Sequence, residues 1–272
     1  MRKVFALLLA VLILTSTSNA FSIDATPSPS PSTVPSAATS LEYGNFVVGD
    51  TGPGGGLIFY VSSKGFKCGP TYSKLGSPEG GLCHYLEVAP NGWKTDKGSK
   101  NDPHLFWAVK SKQKTDVVGI PDEFASYPAP KISISGIGLG YKNSIAIIKQ
   151  GNDANTAAGA SRAYNGGSKN DWYLPTLAEA NELCKWLVGV PSKSPATVCE
   201  GGTLNSPTYG AGISGFIASY YLTSSEHINI SSPKNLRHQD IWALELFETG
   251  LNSKFTRFGK YNSTYVRPIR AF

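Results

Sequence analysis

Much of what this chain could be is excluded by what it lacks. It has no Gly-x-Ser-x-Gly elbow and no His-Glu-x-x-His stretch, so neither a serine-hydrolase nucleophile nor a zinc-peptidase ligand pair is available. The four histidines, His84, His104, His227 and His238, are scattered. No cysteine precedes Cys68, which excludes a lipid anchor on a processed N-terminal cysteine, and the C-x-x-C spacing of a structural metal site is absent. No acidic residue follows Glu248. After the first twenty residues no apolar run is long enough to span a bilayer, and there is neither a Leu-Pro-x-Thr-Gly sorting signal nor an apolar tail.

The N-terminus carries Arg2 and Lys3, an apolar run from Val4 to Leu14, and small residues at Ser18 and Ala20. This is the pattern of a secretory signal peptide over residues 1–20. Residues 21–40, rich in Ala, Thr, Pro and Ser with Pro27, Pro29, Pro31 and Pro35 closely spaced, cannot bury enough apolar surface to fold and read as an extended stalk. The remaining residues, 41–272, suit one domain. An exported chain with an even cysteine set points to disulfides. Of three connectivities, the local one, Cys68–Cys83 and Cys184–Cys199, closes two loops of similar size and is the expected pairing. Loss of Arg2 and Lys3 lowers the formal net charge from +6 to +4. The excess is concentrated after Glu248, where Lys254, Arg257, Lys260, Arg267 and Arg270 stand without an acid.

Phe46–Gly49 and Leu57–Ser62 read as strands flanking the glycine-rich turn Asp50–Gly56. A phosphate loop is excluded there, because a strand follows rather than Gly-Lys-Ser/Thr opening a helix. Tyr85–Ala89 and Leu105–Val109 are further strand candidates. Lys131–Ser135, then Gly136, Gly138 and Gly140, then a helix from about Asn143 imitates a dinucleotide site. The third glycine is misplaced, however, and a second, alanine-rich helix over Asn155–Tyr164 stands where a parallel strand is needed. Near the end, Phe216–Ser225, Asp240–Phe247 and Thr264–Arg270 read as strands. The chain is thus α+β, with antiparallel strands, flanking helices, long loops and disulfide staples. No cofactor and no metal ligand set is indicated.

The densest segment is Gly166–Leu183. Pro175 holds the backbone extended, and Thr176-x-x-Glu179 forms a capping box ahead of apolar residues at helical spacing, until Gly189 and Pro191 stop the helix. Trp172, Leu174 and Trp242 are expected in the core, and Arg267 and Arg270 are expected to hold carbonyls or carboxylates within the fold.

Three pieces stand in order: Asn170–Glu179, with Trp172, Leu174, Pro175 and Thr176; Tyr221–Glu226; and Tyr265–Arg270. Together with Val48–Gly56, Phe59–Val61 and Ala160–Gly167, they resemble the bacterial domain family named after the C-terminal domain of Lcl, the Legionella collagen-like adhesin. The likeness spans about Val47 to Phe272. The Leu174-Pro175-Thr176-x-Ala178-Glu179 piece and the closing Arg267-x-x-Arg270 are also similar to formylglycine-generating, sulfatase-modifying enzymes. Both resemblances imply a single C-type-lectin-like domain with its first and last strands paired. Oxidase chemistry is not implied, because no cysteine follows Cys199, and no Glu-Pro-Asn or Gln-Pro-Asp triplet for calcium-dependent sugar binding occurs.

The expected function is that of an exported, secreted or surface-associated binding module. It would be adhesin-like and non-catalytic, taking an anionic glycan or surface polymer, or a protein, through its loops, with no nucleic-acid partner and no membrane span. The alternatives are a structural envelope protein and an extracytoplasmic enzyme, for which Glu226, Asp240 and Glu87 are the only carboxylate candidates. The expected binding residues are Asn235, Arg237 and His238 in the polar loop His227–Asp240, Tyr261 (and Tyr209) as stacking faces, and Lys254, Arg257 and Lys260 for a polyanion.

Overall fold

A computed structural model describes residues 46–69, 82–94, 101–120, 136–202, 215–246 and 254–272, all of which belong to one unit, Ser40–Phe272. The expected signal peptide and stalk, the expected strand at 131–135 and Tyr209 lie outside the described residues. The domain is α+β. Strands β1 (Leu57–Lys67), β2 (Leu82–Val88) and β8 (Ile269–Ala271) form one sheet in the order β1-β2-β8. A second sheet has the order β3-β7-β4-β5-β6, from β3 (His104–Phe106), β4 (Tyr220–His227), β5 (Asp240–Glu245), β6 (Lys254–Gly259) and β7 (Ser263–Tyr265). Helices α1 (Gly140–Lys149), α2 (Ala157–Ala163) and α3 (Leu177–Leu187) complete it.

Several expectations need correction. Phe46–Gly49 is no strand. The Asp50 carboxylate accepts from the Val47 N–H and turns the chain, and Gly49 takes a φ of +98° that a side chain would resist. The first and last strands are not directly paired, because β2 lies between them and pairs antiparallel with both. Thr264–Arg270 is not one strand either, since Val266–Pro268 separates β7 from β8 and moves the chain between sheets. Strand β6 was hidden by its charge. Lys254 and Arg257 read as part of a basic tail, although Phe255 is buried and the strand pairs with β5 over its full length.

Both disulfides form, Cys68–Cys83 and Cys184–Cys199, and all four cysteines sit in the core. Among the described residues no helix is long and apolar enough to cross a membrane. Both facts are compatible with an extracytoplasmic protein.

Helix α3 starts where the capping box places it. The Thr176 hydroxyl accepts from the Glu179 N–H at 3.1 Å, and the Glu179 carboxylate accepts from the Thr176 N–H at 2.8 Å. Glu179 also accepts from the Gly138 N–H and the Tyr173 hydroxyl, each at 2.9 Å. Its neighbour in the motif, Leu177, donates its N–H to the Ser225 hydroxyl, and Ser224 donates its N–H to the Pro175 carbonyl. The helix start is therefore seated on β4, at the irregular stretch where the β4–β5 register shifts between Leu222 and Glu226.

Burial lifts the Glu179 carboxyl from its ordinary 4.5 to about 7, against the pull of the three hydrogen bonds it accepts. A raised folded-state value means the native protein holds this proton better than the unfolded chain does. The stabilisation is therefore complete below about pH 4.5 and is lost as pH rises through about 7, by up to about 3 kcal/mol. Denaturant midpoints between pH 5 and 7.5 should fall with rising pH, and Glu179→Gln should flatten that fall. An unchanged slope in the variant would contradict the assignment.

Candidate functional site

The charges of the sequence motifs are spent inside the frame. Arg270 is buried, with Nε and Nη2 on the two oxygens of Asp171 at 2.7 and 2.8 Å and Nη1 on Glu87 at 3.0 Å. Glu87 also accepts from the backbone N–H groups of Gly54 and Gly56, so the glycine-rich turn is a cradle for a carboxylate of this chain. A Cβ at Gly52 would meet Glu87, one at Gly54 would meet Trp172 and Glu87, and one at Gly56 would meet the Val88 carbonyl. Arg267 binds Asp102 at 2.6 Å, reaches the carbonyls of Ala89 and Gly215, and lies 4.2 Å from the Phe216 ring centre. Burial raises the Asp102 carboxyl to about 6, against the lowering effect of Arg267. Trp172, Leu174 and Trp242 are core residues, as expected.

A third buried pair joins Glu226, at the end of β4, to Lys260, just beyond β6. Lys260 also donates to the Thr115 carbonyl at 2.9 Å and sits 4.6 Å from the Trp107 ring centre. The second Glu226 oxygen accepts from the Val117 N–H at 3.0 Å. Burial raises the Glu226 carboxyl, with Lys260 opposing. Lys260 was expected to bind a polyanion. It is wholly buried, so the structure removes it from any ligand surface.

The remaining expected residues divide between two places. Strand β6 pairs Gly259 with Asp240 at one end and Lys254 with Glu245 at the other. Lys254 thus lies five strand residues, about 17 Å, from the Gly259 end and is not part of one site with Tyr261. At the Gly259 end, Tyr261 is half exposed and its ring lies over Gly259, where a Cβ would collide with it. Arg257 pairs with Asp240 at 3.5 Å, and burial raises the Asp240 carboxyl despite that cation. The loop between β4 and β5 is tied to itself: the Asn229 N–H donates to the Arg237 carbonyl, and Arg237 Nε donates to the Ser232 carbonyl. This leaves Asn235 exposed and Arg237 partly buried. His238 reaches Asp116 at 3.4 Å, which joins the loop to the turn after β3. Structure therefore gathers His238, Arg257 and Tyr261 around the end of the β4-β5-β6 ladder.

Next to it lies a feature that motif reading missed. An open cavity of about 440 Å³ separates the turn Asp116–Gly119 from the outer side of α1. Its lining includes Val118, Lys142, Ile145, Ala146 and Lys149. The spacing Lys142-x-x-Ile145-Ala146-x-x-Lys149 puts these residues on one helix stripe and was legible in the sequence. Among the described residues no group of three or more His, Cys, Asp or Glu side chains is placed to hold a metal ion. The carboxylates considered for catalysis lie apart in their partnerships: Glu87 is held by amides and Arg270, Glu226 by Lys260 and Val117, and Asp240 by Arg257.

No protein-family model, curated protein or solved structure matches the chain.

Removing one member of the Glu226–Lys260 pair strands the other without water. Lys260→Met should cost about 3–5 kcal/mol in urea unfolding, whereas Lys260→Met combined with Glu226→Gln should recover a substantial part of that loss. Additive losses in the double variant would show that the two side chains do not act as a pair.

Proposed function

We propose that the chain is an exported binding module, secreted or held at the cell surface. It is adhesin-like and non-catalytic, and its C-type-lectin-like frame of the Lcl C-terminal kind presents loops to a glycan, a polyanion or a protein. The observation that carries this reading is the division of labour among the charged residues. Arg267, Arg270, Glu87, Asp102, Asp171, Glu226 and Lys260 are committed to one another or to backbone inside the frame. At the ladder end a half-exposed ring, an imidazole and a guanidinium remain accessible, Arg257 on β6 and His238 and Tyr261 in the turns that flank the β5–β6 pairing. Tyr261 offers a flat apolar face, His238 and Arg257 offer hydrogen-bond donors, and loops on a fixed scaffold suit recognition better than group transfer. Export is supported by the sequence pattern of residues 1–20 and by the paired cysteines.

The purified chain, applied to neutral and anionic polysaccharides and to surface-coated extracellular proteins, should bind at least one class saturably and without dependence on chelator. Tyr261→Ala should weaken that binding about fivefold without lowering the unfolding midpoint. Absence of saturable binding to every class would replace this reading with a structural role in the envelope.

A further inference from the structure

The outer stripe of α1 faces the cavity with two charges flanking an apolar floor. Lys142 and Lys149 are exposed, seven residues and about 10 Å apart along the axis, and Ile145 and Ala146 lie half-buried between them. Val118 forms the opposite wall. It is 88% exposed, the largest value among the exposed large hydrophobic residues described. An aliphatic side chain held in water beside an apolar helix stripe is a surface with unspent burial energy.

The charge around it has one dominant sign. The segment before the cavity wall carries Lys110, Lys112 and Lys114, and it is tied to the C-terminal end of α1. Gln150 donates to the Asp116 carbonyl at 2.7 Å, Asn152 accepts from the Val109 N–H at 2.9 Å, and Lys112 lies against Gly151. Two lysines, Lys142 and Lys149, thus line the cavity itself, and the segment with the other three is tied beside it. The acids are fewer: Asp116 lines the cavity with its carboxylate turned toward His238 at 3.4 Å, and Asp153 accepts from the Asn155 N–H. The floor is aliphatic and offers no aromatic ring for a sugar, and the Gln150 amide is spent on Thr115 and Asp116. Saccharide recognition has little to use there, whereas an aliphatic stripe with flanking cations matches a segment patterned with aliphatic and acidic residues.

We infer that this cavity is a docking groove for an acidic amphipathic segment of a protein partner. Aliphatic side chains of the segment fill the space between Val118 and the Ile145–Ala146 floor, and its carboxylates pair with Lys142 and Lys149. The inference rests on the binding-module reading and gives it a protein ligand at a place separate from the ladder end.

The test uses the full chain and two synthetic peptides, one with leucines at positions i, i+3, i+4 and i+7 and glutamates elsewhere, the other with lysines replacing the glutamates. Fluorescence anisotropy should detect the acidic peptide and not its basic twin. Its affinity should fall at least about tenfold in Lys142→Glu/Lys149→Glu and on raising salt from about 50 to about 300 mM. Val118→Asp should produce a comparable loss, and both substitutions lie on exposed side chains, so a matched unfolding midpoint excludes misfolding. Lys193→Glu, an exposed charge beyond α3, should bind as the unaltered protein does. Failure of the acidic peptide to bind, equal binding of both peptides, or undiminished binding by the charge-reversed variant would overturn the groove assignment. Those outcomes would leave the ladder-end reading to its own polysaccharide and protein binding measurements.

Discussion

The fold depends on keeping the guanidinium of Arg270 charged in the absence of water. A buried cation of this kind is tolerated only when counter-charges replace its water, and here Asp171 takes two of its N–H donors and Glu87 a third. Glu87 then carries more acceptor capacity than Arg270 can use, and the amides of Gly54 and Gly56 complete its shell. The arrangement joins the glycine-rich turn, β2, the segment before α3 and the last strand at one point. It also explains why the turn is built of glycine. At Gly52, Gly54 and Gly56 the backbone approaches Glu87, Trp172 or Val88 so closely that no side chain fits.

The same logic recurs at Arg267 and at Lys260, so that three buried cations hold the strand ends and turns that the sheets alone would leave loose. Arg267 gathers Asp102 and the carbonyls of Ala89 and Gly215, closing loops over β7 and β8. Lys260 with Glu226 holds Thr115 and Val117. Such pairs contribute little net stability compared with an apolar core, but a misplaced strand would leave a buried charge without a partner, which is costly.

Local features were legible in the sequence and distant ones were not. The capping box of α3, the two disulfides and the core positions of Trp172, Leu174 and Trp242 follow from spacing and side-chain type over a few residues. That Arg267 and Arg270 serve the fold was also readable, but their partners were not, because Asp171 lies 99 residues from Arg270, Glu87 lies 183 away and Asp102 lies 165 from Arg267. No local pattern encodes such pairings. The basic run after Glu248 misled for a related reason. A lysine in a polar stretch reads as a surface charge, and only the strand pairing of β6 shows Lys260 turning inward to Glu226. Of the expected binding residues, His238, Arg257 and Tyr261 come together, while Lys254 lies at the far end of its strand.

The buried Lys260–Glu226 pair also connects the two accessible features. Lys260 follows the ladder end that presents Arg257 and Tyr261, and its amine holds the Thr115 carbonyl while Glu226 holds the Val117 amide. Those two anchors bracket Asp116 and immediately precede Val118. Val118 therefore stands exposed directly beyond a segment held at residues 115 and 117 by a desolvated ion pair. The sheet end and the α1 groove are joined through this same segment, because Gln150 at the end of α1 donates to the Asp116 carbonyl. A partner touching both would meet a preorganised surface and lose little conformational entropy in ordering it.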